Sequence, residues 1–164
     1  MMASSPLRVF ISYSHRDEAH RHTLENHLSL LRRQEVIEGW SDRDITAGDE
    51  WKTAIDKNLE AADIVLLLVS DEFIASDYCW DKEMLRALER HDASEARVVP
   101  IILKPVDWRD APFARLQALP RDGRPVTTWS NRDEAWLDVA KGIRRVAEVL
   151  NELRQSSAPA SEQR

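Results

Sequence analysis

Two hydrophobic rhythms take turns along this chain. RVFISY (Arg8 to Tyr13) is short and β-rich, and after it Leu24, Leu28 and Leu31 recur at i, i+4 and i+7, one face of a helix. VIEGW (Val36 to Trp40) reads as a weaker second strand, and the polar SDRDITAGDE as the loop that follows. Asp49 is a candidate N-cap for a helix that buries Trp51, Ala54, Ile55, Leu59 and Ala62. DIVLLLVS (Asp63 to Ser70) is apolar almost throughout, the pattern of a strand covered on both faces. Ser76 or Asp77 then caps a helix expected to carry Trp80, Met84 and Leu88 inward. RVVPIIL (Arg97 to Leu103) is a fourth strand, with a bulge or strand end expected at Pro100 because proline has no N–H to give. PVTTWS (Pro125 to Ser130) is expected as the fifth. A last helix places Trp136, Ala140, Ile143, Ala147 and Leu150 on one stripe, opened by Asn131 and Glu134 at capping-box spacing.

Alternation of this kind predicts βαβ units and an α/β three-layer sandwich, a parallel sheet between helices. Five strands suggest the flavodoxin-like order 2-1-3-4-5. Strands 1 and 3 are then neighbours whose connections leave in opposite directions, and a crevice opens at their C-terminal ends. Its expected walls are Tyr13 to Arg16, the loop after strand 2, Ser70 with Asp71, and the start of YCWDKE (Tyr78 to Glu83). The domain is expected over residues 7–153. A leader (1–6) and a small, polar tail or linker (154–164) flank it, both expected to be disordered.

Composition narrows the chemistry. The 164 residues suit one core, and the net charge of −6 disfavours a direct nucleic-acid ligand, although a local basic patch can still hold a nucleotide. Cys79 is the single cysteine, so neither a disulfide framework nor a four-cysteine zinc site can be built. No secretory signal and no run long enough to cross a membrane is legible, which predicts a cytoplasmic protein. The four glycines form no GxGxxG or P-loop, and no GxSxG occurs. The histidines lack partners at metal-ligand spacing, so no metal is expected.

RVFISYSHRD, WSDRDITAGDEW, DIVLLLVSDEFIASDYCWDKE and RVVPIIL, in this order and at these separations, resemble the Toll/interleukin-1 receptor (TIR) domain, in its bacterial type. The resemblance covers roughly residues 7 to 150. It implies the flavodoxin-like fold and one of two functions. Some members only associate with other TIR domains. Others cleave NAD+ at the nicotinamide–ribose bond when they assemble, and in bacteria serve immune or cell-death systems. The enzymes carry a glutamate on the helix after the third strand, which Glu83 matches. They often have tryptophan four residues earlier, where this chain has Cys79, with Trp80 three before.

One carboxylate is chemically sufficient for that reaction. Nicotinamide leaves NAD+ as a neutral base and needs no acid, so a single anion beside the ribose can stabilise the growing oxocarbenium charge. NAD+ is then a substrate, not a cofactor. The substrate-binding candidates are Tyr13, Ser14 and His15 beyond strand 1, with Arg16 in reach of phosphate. Asp42 and Arg43 start the loop after strand 2, and Trp51 and Trp80 are candidate stacking walls. Each has a plainer reading. Trp51 fits its helix's apolar stripe, Trp80 fits either crevice or core, and Asp42 with Arg43 form a surface pair. Glu83 itself reads as a solvated charge beside Lys82 and Arg86 when the resemblance is set aside. Three functions follow: a NAD+ glycohydrolase activated by self-association, a non-catalytic TIR adaptor, and a nucleotide receptor using the same crevice without chemistry.

Overall fold

The structure, a computed structural model, describes residues 5–40, 48 and 50–156, and of residues 40, 51–54 and 56 the backbone only. Four parallel strands form the sheet in the order β2-β1-β3-β4: β1 (Leu7–Ser12), β2 (Ile37–Trp40), β3 (Ile64–Val69) and β4 (Arg97–Ile102). The helices are α1 (Glu18–His27), α2 (Ser29–Arg33), α3 (Trp51–Ala61), α4 (Asp71–Ala75), α5 (Leu85–Asp92) and α6 (Arg132–Ser156). Between α4 and α5 the chain winds as a π-helix over Tyr78–Met84.

Two cores form because strand side chains alternate. Leu7, Val9 and Ile11 of β1, with Ile64, Leu66 and Leu68 of β3, pack on one face against Leu24 of α1 and Trp136 of α6. Phe10, Val65, Leu67 and Val69 pack on the other against Ile55 of α3 and Met84 at the end of the π segment. β3 is buried at all six positions, as its unbroken apolar run predicts.

The predicted sandwich and the order of its first four strands are present. The fifth strand is not: residues 126–128 form a 3-10 turn. Beside β4 lies a single bridge, Ile101 with Leu119. Val126 is buried, and the segment touches the end of β4 by one bond, Thr127 N donating to the Leu103 carbonyl at 3.1 Å, while Thr128 N and Trp129 N close back on the Pro125 and Val126 carbonyls at 3.0 and 3.3 Å, so turn bonds take the place of a ladder. Pro100 makes no bulge and does not end β4. Its missing N–H faces the outer edge, where its carbonyl accepts from Leu119 N at 2.9 Å. Asn131 caps α6 as expected, its Oδ1 accepting from Asp133 N at 2.9 Å and Glu134 N at 3.3 Å.

Candidate functional site

Ser12 is the last residue of β1 and shares the parity of Phe10, so its hydroxyl enters the layer beneath α3 and the π segment. The chain then turns. Ser14 caps the 3-10 turn His15–Asp17 by accepting from Arg16 N at 3.3 Å. On the far side, Ser70 caps α4, accepting from Phe73 N at 3.0 Å, and Ser76 Oγ accepts from Cys79 N at 3.2 Å where the π segment begins.

The π winding decides which side chains meet. An α-helix advances about 100° per residue, so positions three and four apart both lie near one face. Widening the turn to i→i+5, as in the bond from Leu85 N to Trp80 O, lowers that rotation. Positions four apart stay aligned, while positions three apart fall further short of a full turn. Cys79 and Glu83 therefore share a face, and Trp80 diverges from it. Trp80 packs edge-on against Phe113, ring centroids 6.3 Å apart, at the border of the core. Its placement corrects the expected stacking wall: it does not line the cavity beside Glu83.

That cavity, of about 150 Å3, is lined by Tyr13, Ser14, His15, Ile55, Cys79 and Glu83, with Ser76 and Tyr78. Glu83 is only 6% exposed, which sets aside the solvated-charge reading. Ser12, 1% exposed, donates its hydroxyl hydrogen to Glu83 Oε1 at 2.6 Å. This length lies in the ordinary range for a hydroxyl donating to a carboxyl oxygen. The Cys79 thiol donates to the Tyr13 carbonyl at 3.4 Å, tying the end of β1 to the π segment. The Tyr13 hydroxyl donates to Glu18 at 2.9 Å, and the Arg21 guanidinium lies 5.6 Å from the Tyr13 ring centroid. His15 meets that ring edge-on at 6.1 Å and is exposed. A buried, fixed anion beside a concavity can stabilise positive charge that develops on a bound molecule.

Ser70 and Asp71, expected among the crevice walls, belong to a neighbouring cluster instead. Ser70 donates to the buried Asp17, while Lys104 Nζ lies 3.5 Å from Asp17 and 3.4 Å from Asp71. Burial opposes the charge on Lys104, but Asp17 and Asp71 outweigh it and hold its pKa above the usual value. This cluster joins the segments that follow β1, β3 and β4, and so frames the turn that carries Ser14 and His15.

Of the residues singled out in the sequence, Tyr13, Ser14, His15 and Glu83 come together. Asp42 and Arg43 lie outside the described residues, as does the side chain of Trp51. The sequence reading overlooked Ser12 as Glu83's partner, although its parity with Phe10 in RVFISY was available. Cys79 falls in the start of YCWDKE, expected among the walls, whereas Ser76 and Ile55 were overlooked as lining residues. Among the described residues, no three His, Cys, Asp or Glu side chains gather to hold a metal ion, and no helix is long and apolar enough to cross a membrane.

Comparison with known proteins places these features. Residues 9–141 match the sequence pattern of the TIR domain. An uncharacterized protein, y4lF, of Sinorhizobium fredii is 56% identical over 151 residues, 92% of this chain and 46% of its own length, so the chain spans about half of that relative. In structure, the TIR domain of the Toll-related receptor TRR-2 from Hydra magnipapillata superimposes with a TM-score of 0.58 at 20% identity, covering 83% of this chain and 97% of that one. The TIR domains of the activated Roq1 resistosome, which directly recognises the pathogen effector XopQ, give 0.62 at 17% identity, covering 84% and 99%. At such identities the structures establish the shared fold, and the sequence pattern, spanning most of the chain, establishes the family: this protein belongs to the TIR domain family.

Proposed function

We propose that this TIR domain cleaves the nicotinamide–ribose bond of NAD+, with Glu83 as its catalytic residue. The observation that carries the reading is the placement of Glu83, buried, bonded to Ser12 and lining a concavity with Tyr13, Ser14 and His15. The C–N bond breaks with its electron pair passing to the pyridinium nitrogen, and nicotinamide leaves neutral. The positive charge spreads over ribose C1′ and the ring oxygen, where the Glu83 carboxylate stabilises it. Water then adds at C1′ and releases a proton, giving ADP-ribose. An internal nucleophile in place of water gives a cyclic product.

The cavity of about 150 Å3 is smaller than the roughly 300–1,000 Å3 usual for small-molecule sites, so it takes the nicotinamide-ribose end while the rest of the dinucleotide lies outside. Covering by a second copy completes the site. The segment SDRDITAGDE, with Asp42 and Arg43, is our candidate for that cover, because an open crevice excludes little water until something closes it. Activity therefore depends on self-association, in keeping with a role in bacterial immune or cell-death signalling.

The small cavity also favours a second reading, a TIR domain that acts only by docking to others, for which Glu83 is dispensable. Purified protein clustered on a multivalent support separates the two. NAD+ consumption by the clustered wild type supports the enzyme, and no consumption at any density supports the docking module.

A further inference from the structure

A larger concavity, of about 520 Å3, opens along the outer edge of β4. Its volume falls within the range of roughly 300–1,000 Å3 typical of ligand sites. Among the described residues no fifth strand covers that edge, which beyond β4 carries the isolated bridge of Ile101 with Leu119. The edge is nonetheless closed to strand addition at the positions where bonds are made. Val98 N donates to His91 Nδ1 at 3.0 Å, Pro100 has only a carbonyl to offer and Leu119 N takes it, and Ile102 N donates to the Leu119 carbonyl at 2.8 Å. An occupant must therefore be recognised by side chains.

Those side chains divide by chemistry. Val99, Leu119 and Val146, on the α6 side of the sheet, supply apolar walls. Leu119 is pressed onto α6 at Gly142, where a Cβ would lie 2.6 Å from Leu119 Cδ2. Arg97, Arg115 and Arg145 line the same space, a concentration of positive charge on a chain of net charge −6. Arg115 is held by Asp92 at 2.9 and 3.1 Å, whereas Arg97 and Arg145 make no ion pair among the described residues. His91 also lines the cavity. Its Nδ1 accepts from Val98, so the neutral ring carries its hydrogen on Nε2 and contributes a donor.

We propose that this cavity binds an organic phosphate of mononucleotide size. The phosphate lies between the Arg97 and Arg145 guanidinium groups, whose forked donors suit its oxygens. The heterocycle rests on Val99, Leu119 and Val146, with the Gln117 amide and His91 Nε2–H available to ring heteroatoms. The site stands apart from the Glu83 reading and does not require it.

Calorimetric titration of the full chain with adenosine monophosphate tests the proposal. Saturable binding is expected, weakened by added salt. Adenosine and inorganic phosphate, each offering half of the recognition, bind about ten-fold or more weaker. The double variant Arg97→Gln/Arg145→Gln weakens the nucleotide by about ten-fold or more. Neither arginine is buried, so this variant keeps the wild-type melting temperature. Glu83→Gln, at the other cavity, leaves the binding unchanged. The proposal is overturned by absence of saturable binding, by adenosine binding as tightly as its monophosphate, or by an arginine variant of wild-type affinity. Binding that vanishes in Glu83→Gln while the arginine variant retains it assigns the nucleotide to the first cavity, and overturns the proposal as well.

Discussion

At the scale of single residues, the Ser12–Glu83 contact is what the proposed chemistry rests on. A carboxylate stabilises a cation only if it sits where the charge appears, and the 2.6 Å bond from a nearly inaccessible hydroxyl fixes Glu83 at the cavity where the proposal requires it. Ser12→Ala removes that restraint without removing the anion. In clustered protein we expect kcat to fall about ten-fold or more with KM little changed, and Ser12→Thr, which keeps the hydroxyl, to recover much of the loss. Equal rates for wild type and Ser12→Ala exclude a positioning role. Arg90 shows the contrasting case of a buried charge serving structure. Its guanidinium donates to the carbonyls of Leu59 and Ala62 at 2.8 Å each and of Glu95 at 3.1 Å, closing the C-terminus of α3. Arg90→Ala is expected to cost about 2–4 kcal/mol in chemical denaturation. A loss below roughly 0.5 kcal/mol contradicts this assignment.

At the scale of elements, the π-helix Tyr78–Met84 is the device that aligns Cys79 with Glu83 and turns Trp80 toward Phe113. Deleting the exposed Asp81 shortens the segment by the one residue that separates i→i+5 from i→i+4 winding. The shorter segment is expected to remain helical by circular dichroism, with Glu83 rotated from the cavity and NAD+ consumption reduced about 100-fold or more. Retained activity contradicts the alignment argument. This element also marks the limit of what could be read in advance. Spacing gave a helix, a buried Met84 and a buried Leu88, all present. A π turn has no period of its own in so short a stretch, so α-helical reasoning left Trp80 and Cys79 ambiguous. The strands were legible wherever burial on both faces wrote an unbroken apolar run, as in β3. PVTTWS carries the right residue types for a strand, but it keeps one bond to the chain after β4, Thr127 N to the Leu103 carbonyl, and its other bonds close a turn. Pro100 was recognised as a missing donor, while only the neighbouring Leu119 reveals that the gap faces an edge. Ser12 was hidden because a lone serine in a strand carries no sign of a partner 71 positions away.

At the scale of the whole molecule, two half-buried histidines link stability to pH. Burial lowers the pKa of His20, helped by Lys104 and Arg132 and opposed by Asp17. Burial likewise lowers His91, with Arg97 and Arg115 adding and Asp92 opposing. The unfolded chain, whose histidines titrate near 6.5, therefore binds more protons than the folded one between the ordinary and the lowered values. Stability rises with pH there. The contribution is present above about pH 6.5 and is lost as pH falls toward the folded-state values. The melting temperature is expected to drop between about pH 7.5 and about pH 5.5, and to drop less in His20→Gln/His91→Gln. A double variant with the full wild-type drop assigns the dependence to other groups.

Assembly belongs to this scale too, because the described cavity is too small to enclose a dinucleotide by itself. The decisive measurement is NAD+ turnover by the chain clustered on a multivalent support, with nicotinamide release followed by chromatography for wild type and Glu83→Gln side by side. The expected result is nicotinamide release that appears on clustering and falls about 100-fold or more in the variant, with melting temperature preserved. Release at the wild-type rate by clustered Glu83→Gln, or none from the clustered wild type, contradicts a catalytic Glu83.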